Sequence, residues 1–315
     1  MRILGLDHLR GFGIILVIVF SLWQWMYYPV PEFSLLVHNQ NGQFRFGDLI
    51  FPLFLFCSGV SAWLLCSKLR QSGRTIAEAE KKYLLLILTA LVISAAHLFT
   101  PFPDEVMMIA VCNVILFNLL WSNVSRKSLI AASILLPLML FAFKSLSPDI
   151  WKMVGDFYLG GWLGLLYYLP IVIIGSVIAQ DTLPGGKFEP KTAFKAIEKW
   201  LAIFLAAAII SALIFPIDKM GISPSFLPVA MLACASLFWL FLNICDQMGF
   251  NSGFLRLIGA HSLWGWALLF FVSGGIFAQK KMGDFDPSIY LPFCALLLLL
   301  LYAALWIREK TRNKK

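Results

Sequence analysis

A short stretch near the N-terminus concentrates the residues that could do acid–base chemistry in an otherwise apolar chain. In LLVHNQNGQFRFGDLIFPLFLF (35–56), a histidine is followed directly by three side-chain amides, and an arginine, an aspartate and an apolar run come after them. The His38 imidazole can take a proton near neutral pH, which makes it the best candidate for a general base. Asp48 stands where a helix should begin, so its carboxylate either caps free N–H groups or orients a catalytic base. The residues alone leave a plain loop open as well.

Two further polar features lie at the ends of apolar runs. Asp7 and Arg10 are three residues apart, a spacing that places both side chains on one face of a helix and lets them pair. The plain interpretation is an interfacial ion pair that anchors the first helix. The functional alternative is that Arg10 helps to receive an anionic cofactor from the cytoplasm. His261 lies inside another apolar run, where a packed, hydrogen-bonded histidine is the commoner case.

The composition assigns these residues to a membrane protein. The chain has 315 residues, of which 60% are hydrophobic and 13% are charged, and its mean hydropathy is +0.83. So few polar residues could not cover the surface of a soluble domain of this length. Because lipid offers no partners to the backbone, the spans should be helices, and the continuous apolar runs argue against a β-barrel. The fold class predicted is an all-α polytopic bundle.

The apolar runs predict about ten transmembrane helices, since each crossing needs roughly 20 residues. We expect a single domain over 1–315, with spans 1–6 within 1–180, a cytoplasmic loop over 181–197 and spans 7–10 within 198–307. A shorter polar stretch, 68–82, is predicted to be a loop that leads into a short amphipathic helix. The predicted spans are 10–28, 47–67, 83–99, 106–121, 128–144, 162–179, 198–217, 226–244, 257–277 and 290–307.

The loop charges predict the orientation. With the N-terminus inside, 19 of the 25 Lys and Arg residues fall on the cytoplasmic side. Both termini are then cytoplasmic, and the His38 loop faces outward. The net charge of +8 reflects this bias toward anionic lipid and calls for no nucleic acid. We expect a multi-pass protein of a cell inner (plasma) membrane, because the sequence carries no outer-membrane signature.

The cysteines predict neither disulfides nor a metal site. All six lie in or at the ends of apolar runs, and none lies in an outward loop, so no structural disulfide is expected. The sequence has no CxxC motif and no Cys/His spacing of the kind that binds zinc. No metal is therefore expected.

Two motifs carry a resemblance to a known family. The stretch RILGLDHLRGFGIILVIVF (2–20) resembles the opening of the transmembrane acyltransferases, whose first helix begins with an LDxLRG-type motif. The stretch HNQNGQFRFGDLIFPLFLFCSGVS (38–61) is similar to the heparan-α-glucosaminide N-acetyltransferase family and its bacterial relatives. In that family a loop histidine of an HAxWNG-like stretch is followed ten residues later by the Asp of DLVFPxFLFxxG. His38 and Asp48 keep this interval.

The resemblance implies a reaction. An acetyl group would pass from cytosolic acetyl-CoA to an amino or hydroxyl group of a sugar or glycolipid on the far side of the membrane. His38 would act as general base or transient acyl carrier, with Asp48 beside it and with Asp7 and Arg10 toward the donor. The expected partners are the lipid bilayer and the sugar or glycolipid acceptor, with no nucleic acid; a homodimer is left open.

The sequence also departs from the family pattern. Ser21 stands where the family has an Asn, Asn41 replaces the tryptophan of HAxWNG, and Met107–Met108 replace a usual Gln–Arg pair. These differences leave the oxyanion donor and the acceptor open, with Gln24, Asn39 or Asn41 as substitutes. The candidates to line a tunnel or to contact the acceptor are Ser21, Gln24, Asn39, Asn41, Arg45, Asn113, Asn118 and His261.

Two other function classes stay open beside the acyltransferase. A transporter or flippase would have kept the scaffold and lost the chemistry, and it would move a solute without any dependence on CoA. An inverted repeat would have favoured it, and the sequence shows none. A catalytically degenerate scaffold that serves as an assembly partner is the third alternative.

Overall fold

The architecture comes from a computed structural model that describes residues 3–26, 44–98, 105–154, 158–219, 222–272 and 287–312. Within these ranges the chain is helical and contains no strand, which confirms the all-α prediction. The helices are α1 (Leu4–Met26), α2 (Phe46–Gln71), α3 (Ile76–Leu98), α4 (Glu105–Trp121), α5 (Arg126–Leu146), α6 (Pro148–Val154), α7 (Gly164–Thr182), α8 (Pro190–Ile214), α9 (Phe226–Phe241), α10 (Gly253–Ala260), α11 (Ser262–Val272) and α12 (Pro287–Arg312).

Shorter helical turns connect some of these elements. Tight 3₁₀ turns cover Tyr158–Leu163 and Pro184–Gly186, and a π-helical segment, Leu242–Gln247, continues α9. Side chains cap two of the helix starts: the hydroxyls of Ser125 and Ser252 accept the N–H groups of Ser128 and Leu255. Each cap satisfies a donor that the first turn would otherwise leave without a partner.

Seven helices in the described part of the chain are long and apolar enough to cross a membrane. They cover Leu4–Trp23, Phe46–Gln71, Arg126–Leu146, Gly161–Thr182, Pro190–Ile214, Phe226–Gln247 and Ser288–Thr311. Two more predicted spans correspond to the shorter apolar helices Tyr83–Val92 and Glu105–Trp121. The multi-pass character thus agrees with the sequence, whereas the number ten and the cytoplasmic termini stay predictions.

Three predicted boundaries differ from the structure. The run 257–277 was expected as one span, but the helix breaks at His261, whose N–H bonds to the Ile258 carbonyl in a tight turn. Residues 76–82 are not a separate amphipathic helix, because they begin the continuous helix α3. Within the predicted loop 181–197, α7 extends to Thr182 and α8 starts at Pro190, a residue suited to the first helical turn.

The described residues group into two compact units. Unit 1 holds Phe44 and the described residues from 51 to 239, and unit 2 holds residues 3–26, residues 45–50 and the described residues from 240 onward. The single-domain organisation expected from the sequence stays a prediction.

The core of unit 1 depends on a close approach of α2 and α7. A Cβ built on Gly59 would overlap the Val172 carbonyl oxygen, and one built on Gly175 would lie 2.5 Å from the Phe56 carbonyl oxygen. Small residues at such crossings let two backbones touch, which is a common way to hold helices together in lipid. Next to the crossing, the rings of Phe51 and Tyr168 pack edge to face with centroids 4.9 Å apart.

A methyl group at the α2–α7 crossing should destabilise unit 1. We expect Gly59→Ala to lower the apparent melting temperature in detergent, because overpacking costs about 1–3 kcal/mol. The matched control is Gly253→Ala, since nothing lies within 4 Å of a Cβ at that position. Tryptophan fluorescence on heating measures both variants, and equal melting temperatures would contradict the close contact.

Candidate functional site

The loop that carries the predicted catalytic histidine lies outside the described residues. His38, Asn39 and Asn41 belong to this part of the chain, so their roles stay predictions. Asp48, the partner predicted for His38, is described and is completely buried. Of the predicted His38–Asp48 motif, the structure therefore describes only the Asp48 end.

Asp48 closes the first turn of α2. Its Oδ2 accepts the backbone N–H of Arg45 at 3.1 Å, and its own N–H donates to the Arg45 carbonyl at 3.0 Å. A carboxylate at the third helical position that reaches back to the capping residue is one half of a capping box. Capping, one of the two roles considered for Asp48, is thus supported by geometry. The orienting role toward His38 stays a prediction.

Asp7 and Arg10 pair on α1 as their spacing predicted. Arg10 Nη1 lies 3.6 Å from Asp7 Oδ1, and the two side chains are 22% and 8% exposed. The backbone of α1 is close to α10 at this level, because a Cβ on Gly259 would overlap the Asp7 carbonyl oxygen. The glycine contact fixes where α1 presents the ion pair. Whether the pair receives a cofactor stays a prediction.

The N-terminus of α1 binds a carboxylate that the sequence analysis missed. Asp246, in the π-helical segment, accepts the N–H of Leu4 at 3.0 Å through Oδ1 and the N–H of Gly5 at 2.6 Å through Oδ2. Negative charge is stabilised at a helix N-terminus, where free N–H groups and the helix dipole both favour it. Asp246 thereby locks the start of α1 to the π-helical segment that follows α9.

His8 makes a second bond between the same two parts of the chain. Its Nε2 lies 2.9 Å from the Ser252 amide nitrogen, and its Nδ1 lies 2.8 Å from the Leu4 carbonyl oxygen. A backbone amide only donates and a carbonyl only accepts, so the proton sits on Nδ1 and Nε2 is the acceptor. Both ring nitrogens are occupied and the side chain is fully buried. His8 therefore positions α1 and is no candidate for a general base.

No local signal in the sequence identifies this pairing. Leu4 and Asp246 are 242 residues apart, and neither the spacing nor the composition links them. The π-helical segment is the structural feature that presents Asp246, and such segments are frequent at functional sites. Tyr290 of α12 adds another contact to α1 by donating its hydroxyl to the Val19 carbonyl at 2.6 Å.

Unit 1 contains a buried polar turn before α9 that the sequence also did not reveal. Lys219, between α8 and α9, is 1% exposed. The Tyr167 hydroxyl of α7 donates to the Ser223 carbonyl at 2.6 Å, and the Ser225 hydroxyl donates to the Pro216 carbonyl at 2.6 Å. The first bond ties the turn to α7, and the second holds the turn itself together.

The remaining candidates occupy different environments. Asn113 is buried, Asn118 is exposed, and each side-chain amide donates to a carbonyl of its own helix α4 at 2.9 Å. His261 is half-buried at the break between α10 and α11. Ser21 and Gln24 lie on α1. Their part in a tunnel or an acceptor site stays a prediction.

The apolar helices of unit 1 and unit 2 define the class: this is an integral membrane protein with several spans. Residues 2–204 match the family described as heparan-alpha-glucosaminide N-acetyltransferase, catalytic. The match covers well over half of the chain and includes both motifs, so the chain belongs to this family of membrane acetyltransferases. No curated protein matches the sequence.

Removing the carboxylate that holds the start of α1 should destabilise unit 2. We expect Asp246→Ala to lower the apparent melting temperature, since each lost bond to a charged group contributes about 1.5–3 kcal/mol. The melting temperature of Asp246→Asn should lie between those of the unaltered protein and Asp246→Ala, because the asparagine amide keeps one acceptor oxygen. Glu309→Ala, an exposed acidic residue on α12, is the control. A melting temperature for Asp246→Ala equal to that of the control would contradict this role.

Proposed function

We propose that the protein transfers an acetyl group from cytosolic acetyl-CoA to an amino or hydroxyl group of a sugar or glycolipid on the outer side of a bacterial-type inner membrane. The observation that carries the proposal is the family match over residues 2–204, which contains the 2–20 and 38–61 motifs. Members of this family use acetyl-CoA as the donor. The charge distribution supports the sidedness, with both termini in the cytoplasm.

In the proposed reaction, His38 acts at the outer end of the bundle. Its imidazole takes the proton of the acceptor amine or hydroxyl as that atom attacks the thioester carbonyl. The new N–C or O–C bond forms, the C–S bond breaks, and coenzyme A leaves as the thiolate and is then protonated. In the second route, a His38 ring nitrogen attacks the thioester carbonyl, the C–S bond breaks and coenzyme A leaves as the thiolate. The acceptor then attacks the acetyl-imidazole carbonyl, the bond from the ring nitrogen to the acetyl group breaks, and the acceptor's proton passes to the released imidazole.

The described residues support parts of this arrangement. Asp48 is buried in the first turn of α2, at the interval after His38 that the family keeps, and it would orient the imidazole or its loop. Arg10, held by Asp7 and 22% exposed, would meet the anionic donor on the cytoplasmic side. Because Ser21 replaces the family asparagine, Gln24, Asn39 or Asn41 would donate to the oxyanion.

Replacing the proposed base should stop chemistry without preventing donor binding. We expect His38→Ala to lose acetyl transfer by at least about 100-fold, the usual contribution of a positioned acid or base. The assay follows free thiol release from acetyl-CoA with a panel of amino sugars and glycolipids, and calorimetry measures acetyl-CoA binding to both proteins. Glu309→Ala, which removes an exposed side chain of α12 away from the proposed site residues, is the control.

The results of this experiment test the role of His38 and the proposed activity separately. Micromolar binding by both proteins with transfer only by the unaltered one supports the proposal. Full transfer by His38→Ala removes His38 from the reaction. Absence of acetyl-CoA binding in folded, monodisperse samples of both proteins contradicts the acetyltransferase and favours a transporter, a flippase or a degenerate scaffold.

A further inference from the structure

Positively charged side chains line an open pocket in unit 1. The pocket lies at the helix ends that the proposed orientation puts in the cytoplasm. It encloses about 460 Å³, within the range of roughly 300–1,000 Å³ usual for ligand pockets. Arg126 from the start of α5 and three lysines from the first turns of α8 line it together with Asp181 and Thr192. The lining therefore carries four positive charges against one carboxylate.

The three lysines share one face of α8. Lys191, Lys195 and Lys199 are spaced by four residues, so their side chains follow one another along the helix. Like charges at this spacing destabilise a helix. None of the three forms an ion pair with a residue in the described part of the chain. The three lysine charges of the pocket are therefore not neutralised by an ion pair within the described part of the chain.

Packing keeps this face of α8 turned to the pocket. Ala193, Ile197 and Phe204 are buried on the other side of the helix. Trp200 is buried with them, and its indole N–H donates to Asp181 Oδ2 at 2.9 Å. Rotating α8 would expose this apolar face, so the lysines stay in place.

The Asp181 carboxylate in the pocket already has two hydrogen-bond partners in the protein, Trp200 and Arg126. Asp181 Oδ2 also accepts a hydrogen bond from the Arg126 guanidinium, which makes an ion pair between α7 and the start of α5. Glu189, at the start of α8, accepts the Thr192 hydroxyl at 3.1 Å. Asp181 thus holds Arg126 at the pocket, and the lysines are left for an external anion.

We propose that this pocket binds a phosphate group. Arg126 offers planar paired donors and the lysines offer point charges, which together suit phosphate oxygens. Two sources present such a group at this side of a membrane. One is the phosphates of the donor coenzyme A, a source that rests on the proposed function. The other is the headgroup of an anionic lipid such as phosphatidylglycerol.

The test compares two double variants that each remove two positive charges. Lys191→Gln/Lys195→Gln alters the pocket. Lys127→Gln/Lys187→Gln is the control, because both lysines are exposed, lie on the same proposed side and do not line the pocket. Equal melting temperatures without ligand establish that both variants fold.

Two probes distinguish the sources. Calorimetry in neutral detergent measures coenzyme A and 3′-dephospho-coenzyme A, and native mass spectrometry measures retention of phosphatidylglycerol against phosphatidylcholine. We expect the pocket variant to lose at least about tenfold in affinity for one probe, since a lost charge-assisted bond is worth that much. The control variant should lose less than about twofold, because its two lysines are exposed, as Lys191 and Lys195 are, but do not line the pocket.

Each outcome has one meaning. A loss of coenzyme A binding confined to the pocket variant, and smaller for the 3′-dephospho form, assigns the site to the donor. A loss of phosphatidylglycerol retention confined to it assigns the site to lipid. Equal losses in both variants, or none, overturn the proposal and leave only a diffuse surface charge. If the unaltered protein neither binds coenzyme A nor transfers acetyl, the proposed function fails. The retention of phosphatidylglycerol then still tests whether the pocket binds a phosphate group.

Discussion

Lipid supplies no hydrogen bonds, and this constraint shapes the protein at every level described above. Backbone groups are satisfied inside the helices. Polar side chains within the apolar helices return to their own backbone: Ser133, Thr182 and Asn113 each donate to the carbonyl four residues earlier, at 2.8–2.9 Å. A polar residue in a span therefore need not mark a tunnel. Polar groups that bond to a different element, such as Asp246, His8 and Tyr290, stand out against this background.

One helix crossing in each unit depends on a close approach of two backbones. Gly59 and Gly175 bring α2 and α7 together in unit 1, and Gly11 and Gly259 do the same for α1 and α10 in unit 2. In lipid the apolar side chains gain little by leaving their solvent, so close packing and hydrogen bonds carry the association. The Asp7–Arg10 pair thus owes its position to a glycine on another helix.

Apolar runs predicted most of the helices because burial in lipid leaves a strong local signal. The same signal does not predict the polar ends of helices, because residues 76–82 and 190–199 are polar and still helical. It also fails at His261, where a tight turn interrupts an unbroken apolar run. The spacing of Asp7 and Arg10 predicted their pairing, since both lie within one turn. The bond from Asp246 to α1 and the pocket around Arg126 join distant parts of the sequence, and no local pattern encodes them.

The π-helical segment Leu242–Gln247 has a consequence for how this chain can vary. A π turn holds one residue more than an α turn, and each residue of a regular helix advances the side chains by about 100°. Deleting a residue within the segment would restore a regular helix and swing Asp246 away from the amides of Leu4 and Gly5. The length of this segment therefore sets the rotation of the helix that follows it. A surface loop can absorb a single-residue insertion or deletion, whereas the same change here would alter which side chains face α1.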